Sequence, residues 1–236
     1  MNFTLLTFLK KHNSLEDTLF PYYSQMTEEE DQHGYLEYEY CDKNYEAHGY
    51  KTKEELIKDL KPKIKSFNED YIYAHNPNGM WDWYLPGGRW NNMLLNDKGE
   101  KVNSCLVANL DLKEMKKQKI QEYKGLYERI NIVFSEIKND KLAMIKLWRE
   151  LFIEHPELYL TPYPNEINDF FNLTKEQYYH QIELEALNTY AIVDLEGNWM
   201  ENTEHTKIEW LKIVHSTVEK YKQDKDNMMV MVDCHN

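Results

Sequence analysis

The stretch Tyr190-Ala191-Ile192-Val193-Asp194-Leu195-Glu196-Gly197-Asn198-Trp199-Met200 decides how the fold is read. Ala191, Ile192 and Val193 are a short apolar run of strand character, Glu196-Gly197-Asn198 supplies turn residues, and Trp199-Met200 begins the return. Just after it, residues 206–222 place Ile208, Leu211, His215 and Val218 on one side of an amphipathic helix. Residues 228–232 are a final apolar strand that runs into Asp233-Cys234-His235-Asn236. The chain therefore closes with strand, turn, strand, helix, strand.

Residues 2–9 alternate and carry β-favouring Phe and Thr, which predicts a first core strand. Ser14 caps a short helix, with Asp17 at the capping-box position, and Pro21 disrupts any longer one. Leu36, Tyr38 and Tyr40 alternate with Glu37 and Glu39, as in an edge strand. Thr52, with Glu55 three residues later, starts a helix whose stripe is Leu56, Ile57, Leu60 and Ile64, bent or shortened by Pro62. A hairpin is expected from residues 91–95 and 102–110 around Asn96-Asp97-Lys98-Gly99.

Residues 113–153 read as two antiparallel helices, one carrying Ile120, Tyr123, Tyr127, Ile130, Phe134 and Ile137. The other, after a break at Asn139-Asp140, carries Leu142, Ile145, Trp148 and Phe152. Thr174 and Gln177 open a capped helix that runs to about Leu187. The expected class is α+β: a ferredoxin-like antiparallel sheet from residues 1–112 and 189–236, with a helical insertion at 113–188.

Composition narrows the functional classes. Of 236 residues 42% are hydrophobic and 14% aromatic, too many for a disordered chain. The net charge of -13 argues against direct nucleic-acid binding, which needs a basic footprint. It leaves room for basic protein partners, a cation, or an acidic surface at residues 28–46 that imitates phosphates, and it also simply favours solubility. Cys41, Cys105 and Cys234 are too scattered for a disulfide framework or a CxxC metal site, so a reducing, cytoplasmic setting is expected. The apolar start of the chain lacks a basic leader, no segment reads as a membrane span, and no membrane partner is expected. His180, His205 and His215 are too scattered for zinc. No P-loop, GxGxxG, HExxH or GxSxG motif is present, and no cofactor or metal is expected.

The candidate site is Asn76-Pro77-Asn78-Gly79-Met80-Trp81-Asp82-Trp83-Tyr84-Leu85-Pro86-Gly87-Gly88-Arg89-Trp90. As a strand it puts Trp81 and Trp83 on one face, with Asp82 and Tyr84 on the other. Gly87 and Gly88 permit a bend or a close backbone approach, and Arg89 beside their amides can face an anion. Trp81, Trp83, Tyr84 and Trp90 can stack on a base or hold a cation. The same residues equally make a packed hairpin with an internal Asp82–Arg89 ion pair. At the C-terminal strand Asp233 and His235 share a face, whereas Cys234 points to the other and is poorly placed to pair with His235. If the two motifs meet at one end of the sheet, His75, Asp82, Arg89, Asp233 and His235 make the acid, base and anion-binding set of a hydrolase.

The strings NPNGMWDWYLPGGRW, AIVDLEGNWM and VDCHN resemble a family of uncharacterised bacteriophage and mobile-element proteins with an NPxxxWDWYxxGGRW core and a C-terminal VDCH. The match covers about 30 residues, spread over residues 76–236, and departs from the pattern at Leu85-Pro86. The resemblance implies a phage or mobile-element origin and makes counter-defence an expected role. The leading expectation is a binding protein for a host protein or a small anionic, nucleotide-like ligand, held by Trp81, Asp82, Trp83, Tyr84, Gly87, Gly88, Arg89 and Trp90. The alternatives are a hydrolase or transferase using Asp82, Arg89, Asp233 and His235, and a homo-oligomer formed through the helical insertion around a purely structural Trp motif.

Overall fold

The computed structural model describes residues 2–40, 45–61, 71–125, 127–128, 173–203 and 205–236. Its strands are β1 (Asn2–Lys10), β2 (Glu37–Tyr40), β3 (Tyr71–His75), β4 (Trp83–Pro86), β5 (Leu94–Leu95), β6 (Lys101–Val102), β7 (Ser104–Leu106), β8 (Ala191–Val193), β9 (Trp199–Glu201) and β10 (Asn227–His235). Its helices are α1 (Leu15–Leu19), α2 (Lys53–Leu60), α3 (Leu112–Glu122), α4 (Lys175–Leu184) and α5 (Lys207–Tyr221). Helices with a mixed sheet make this an α+β protein, the class the sequence indicates. The chain divides into two compact units: Met1–Asn91 with Ala191–Met200 and Met228–Asn236, and Asn92–Tyr190 with Glu201–Asn227.

The first unit is built on the strand order β4-β10-β1-β8-β9. β1 is buried on both sides: Leu5, Leu6, Phe8, Leu9 and the polar Thr7 are all inside. A strand covered on both faces needs this near-continuous apolar run rather than strict alternation. β1 and β8 pair in parallel, with Leu5 opposite Ala191, Leu6 opposite Ile192 and Thr7 opposite Val193. The sheet is therefore mixed and not the wholly antiparallel one expected. Parallel neighbours need a long connection, and most of the chain lies between β1 and β8.

The local signals around this sheet work as the sequence indicates. Ser14 caps α1 by accepting the Asp17 N–H, and Thr52 caps α2 by accepting that of Glu55. Leu56 is the buried residue of α2, packed against Tyr45, Tyr50, Ile57 and Leu60, while Ile64 and Pro62 lie outside the described residues. β2 pairs antiparallel with β3, placing Glu37 opposite His75.

The second unit opens with the expected hairpin, Leu94 opposite Val102 and Leu95 opposite Lys101. Asn96 holds its turn by accepting N–H bonds from Lys98 and Glu100. The single long strand expected to 110 is broken: β6 and β7 are followed by a 3-10 turn at Val107–Asn109. The Asp111 side chain then caps α3 by accepting the Glu114 N–H, and its own N–H donates to the Leu95 carbonyl, so the chain turns back early. Thr174 with Gln177, and Thr206 with Glu209, form complete capping boxes on α4 and α5. His215 is buried on α5 with Nε2 2.7 Å from the Leu184 carbonyl of α4. The two antiparallel helices expected over 113–153 fall mostly outside the described residues, beyond α3.

Candidate functional site

The site grows from the Asn76–Gly79 turn in the first unit. Asn76 is buried; its Oδ1 accepts the Asn78 N–H, and its Nδ2 donates to the carbonyls of Pro21 and Tyr23. That fixes the entry to the Trp-rich run. Trp81 is core: it stacks on Tyr23 at 4.8 Å, meets Tyr84 edge to face at 4.9 Å, and donates its Nε1–H to the Leu19 carbonyl.

The run is not one strand from Trp81. The chain bends at Asp82, whose N–H donates to the His235 carbonyl, and only Trp83–Pro86 forms β4. Trp81 and Trp83 therefore do not share a face: Trp81 is buried and Trp83 is 45% exposed. β4 lies antiparallel to β10, with Trp83 opposite His235, Tyr84 opposite Cys234, Leu85 opposite Asp233 and Pro86 opposite Val232. Partners across a ladder point to the same face. Trp83, Leu85, Asp233 and His235 thus share one face, while Tyr84 and the fully buried Cys234 take the other. Burial pushes the Cys234 thiol up to about 12, so it is no nucleophile at neutral pH.

After β4 the chain doubles over Asp233. Gly87 has φ 74° and ψ -66°, and Gly88 has φ 49°. A Cβ on Gly88 would stand 2.4 Å from the Asp233 Cβ, so only glycine fits there. Arg89 closes on this carboxylate from three donors: its backbone N–H at 3.0 Å and Nε at 2.9 Å to Oδ2, and Nη2 at 2.8 Å to Oδ1. The Asp233 side chain is only 3% exposed, against 47% for Arg89. Burial alone would raise the Asp233 carboxyl, but the Arg89 bonds and charge outweigh it and hold the group below its ordinary range. Gly87 donates its N–H to the Met231 carbonyl, and the Arg89 guanidinium lies over Trp90 at 5.3 Å. The anion seated in this glycine bend is the protein's own Asp233. The internal pair weighed from sequence, Asp82–Arg89, is replaced by Arg89–Asp233 and Asp82–His235.

Asp82 lies 2.8 and 3.1 Å from His235 Nδ1 through its two oxygens. A carboxylate only accepts, so Nδ1 carries the proton and Nε2 faces away. The His235 hydrogen bond lowers the Asp82 pKa. Trp83 lies parallel to the imidazole, at 5.8 Å and 7°. The two motifs singled out in the sequence therefore meet at one end of the sheet, and His75 belongs to the separate two-stranded β2–β3 sheet, opposite Glu37. Leu85, 53% exposed beside Trp83, is the site residue that sequence reasoning passed over. Its signal was its place two residues from Trp83, hence on the same face.

Chemically this end offers an exposed apolar pair, an oriented imidazole and a neutralised arginine. Among the described residues no group of three or more His, Cys, Asp or Glu is placed to hold a metal ion, and no helix is long and apolar enough to cross a membrane. No protein-family model, curated protein or solved structure matches the chain.

Proposed function

We propose that this chain is a non-catalytic binding protein of phage or mobile-element origin, acting on a host protein that lands on the β4–β10 end of the first unit. The observation that supports this reading is the exposed pair Trp83 and Leu85 on one face of β4, the end strand among the described residues. Stacking on His235, itself tied to Asp82, holds Trp83 in place. A large aromatic already fixed loses little freedom on binding, which is the character of an interface anchor. The origin, and a counter-defence role, rest on the resemblance of the Trp-rich motif.

Of the two expected ligand classes, charge favours the protein over the small anion. Arg89 is already balanced by Asp233, and Asp82 adds a further negative charge. The test is a copurified complex resolved by native mass spectrometry, compared with a nucleotide titration followed by Trp fluorescence. The reading expects a stoichiometric protein partner lost in Trp83→Ala, and no nucleotide response. Nucleotide binding that disappears in Arg89→Ala would overturn the choice.

A second reading rests on the Asp82–His235 pair, an oriented imidazole suited to general base work in a hydrolase or transferase of a nucleotide-like substrate. It expects turnover of a nucleotide panel that His235→Ala abolishes.

A further inference from the structure

We propose that β4 takes its partner by strand addition: an extended segment with two apolar side chains two residues apart, flanked by basic residues, pairs antiparallel with the outer edge of β4 at Tyr84. This rests on reading the β4–β10 end as a protein-binding surface. Among the described residues β4 is the last strand in the order, and only its β10 edge is paired. The Gly87 N–H donates to the Met231 carbonyl at 2.8 Å, one step past the Pro86–Val232 pair. In an antiparallel ladder this sets the alternation: Leu85 aims its main-chain groups at β10, and Tyr84 aims its N–H and C=O outward. Pro86 has no N–H, so the added ladder is short and centred on Tyr84.

Charge guards many natural edge strands and β4, Trp-Tyr-Leu-Pro, carries none, while its shortness and Pro86 confine any added pairing to the Tyr84 position. Trp83 and Leu85 flank Tyr84 on one face, so residues opposite them on an added strand meet apolar partners. Area and charge select the occupant. The exposed parts of Trp83 and Leu85 come to on the order of 200 Å², an area that two side chains of one extended segment cover. Two copies at -13 each repel, whereas that charge and the Asp82 carboxylate beside β4 attract a basic flank. A short basic and apolar segment fits where a second copy does not.

The probe is the peptide acetyl-Lys-Lys-Val-Thr-Val-Lys-Lys-amide, titrated into the full chain with Trp fluorescence as readout. A second peptide, N-methylated at the Thr that faces Tyr84, lacks one ladder donor. Saturable binding that weakens at least about tenfold on N-methylation is expected. Leu85→Lys should weaken the unmethylated peptide comparably while its thermal melt stays unchanged. Equal affinity of the two peptides, or no binding of either, overturns strand addition. So does concentration-dependent dimerisation lost in Leu85→Lys, which would name a second copy as the occupant. A host-protein complex that Trp83→Ala still abolishes in those cases leaves the surface reading standing; one that neither Trp83→Ala nor Leu85→Lys disturbs sinks the surface itself.

Discussion

Arg89 and Asp233 are separated by 144 positions in sequence, yet three Arg89 donors meet the one carboxylate. Removing Arg89 strands a buried carboxylate. A fully buried pair broken on one side costs about 3–5 kcal/mol; the exposure of Arg89 screens the pair and brings the expectation for Arg89→Ala to about 2 kcal/mol, read from urea unfolding. Arg89→Lys should recover little of this, because an ammonium cannot reproduce the two-pronged contact. Gly88→Ala combines a positive φ with a Cβ driven into Asp233, and its loss should be of the order of 2 kcal/mol or more, or no folded protein. The Asp233 carboxyl is depressed below 3.8 in the folded chain, so its contribution is present above that pH and lost as pH falls through the folded value. Asp233→Asn should flatten that acid limb of the stability curve. The sequence marked Gly87, Gly88 and Arg89 as an anion-facing bend, because glycine pairs beside arginine carry that chemistry. It could not say that the anion is Asp233, since a tertiary pairing across 144 positions leaves no local trace.

At the scale of elements, β4 shows what local patterning can and cannot tell. Alternation placed Trp81 and Trp83 on one face, but the bend at Asp82 resets the phase before β4 begins. The two rings should then behave oppositely. Trp81→Ala empties a core site and should cost about 3–5 kcal/mol in chemical unfolding. Trp83→Ala should shift the same measurement by no more than about 1 kcal/mol, because it loses mainly a half-exposed stack on His235. Caps were far more legible: Ser14, Thr52 and Thr174 start α1, α2 and α4 as their spacing indicates, because a cap needs only residues a few positions apart.

α5 carries a second pH response. Burial pushes the His215 pKa down, against the pull of the Leu184 carbonyl, and Nδ1 has no partner among the described residues. The unfolded chain takes up this proton first, so stability falls as pH drops from about 6.5 through the folded value. Unfolding midpoints at pH 7.5 and 5.5 should differ in the wild type, and less in His215→Gln. This window opens at a higher pH than that of Asp233.

For the whole molecule, the α+β class was written in the closing strand, turn, strand, helix, strand order, and the parallel β1–β8 pair was not. Pairing between strands at opposite ends of a chain is settled by which faces bury together, as Leu5, Leu6 and Ile192 do here, and such choices are made only in the assembled core. The same assembly brings the Trp-rich run and the C-terminal strand into one site, with Trp83 and Leu85 facing outward. The central claim is that this outward pair is a partner surface and not incidental exposure. Native mass spectrometry of complexes copurified from bacterial cells, wild type beside the double variant Trp83→Ala with Leu85→Lys, tests it most directly. A stoichiometric protein complex in the wild type, absent from an equally folded double variant, is the expected result; a complex that survives the double substitution, or a wild-type chain that carries no protein at all, would contradict it.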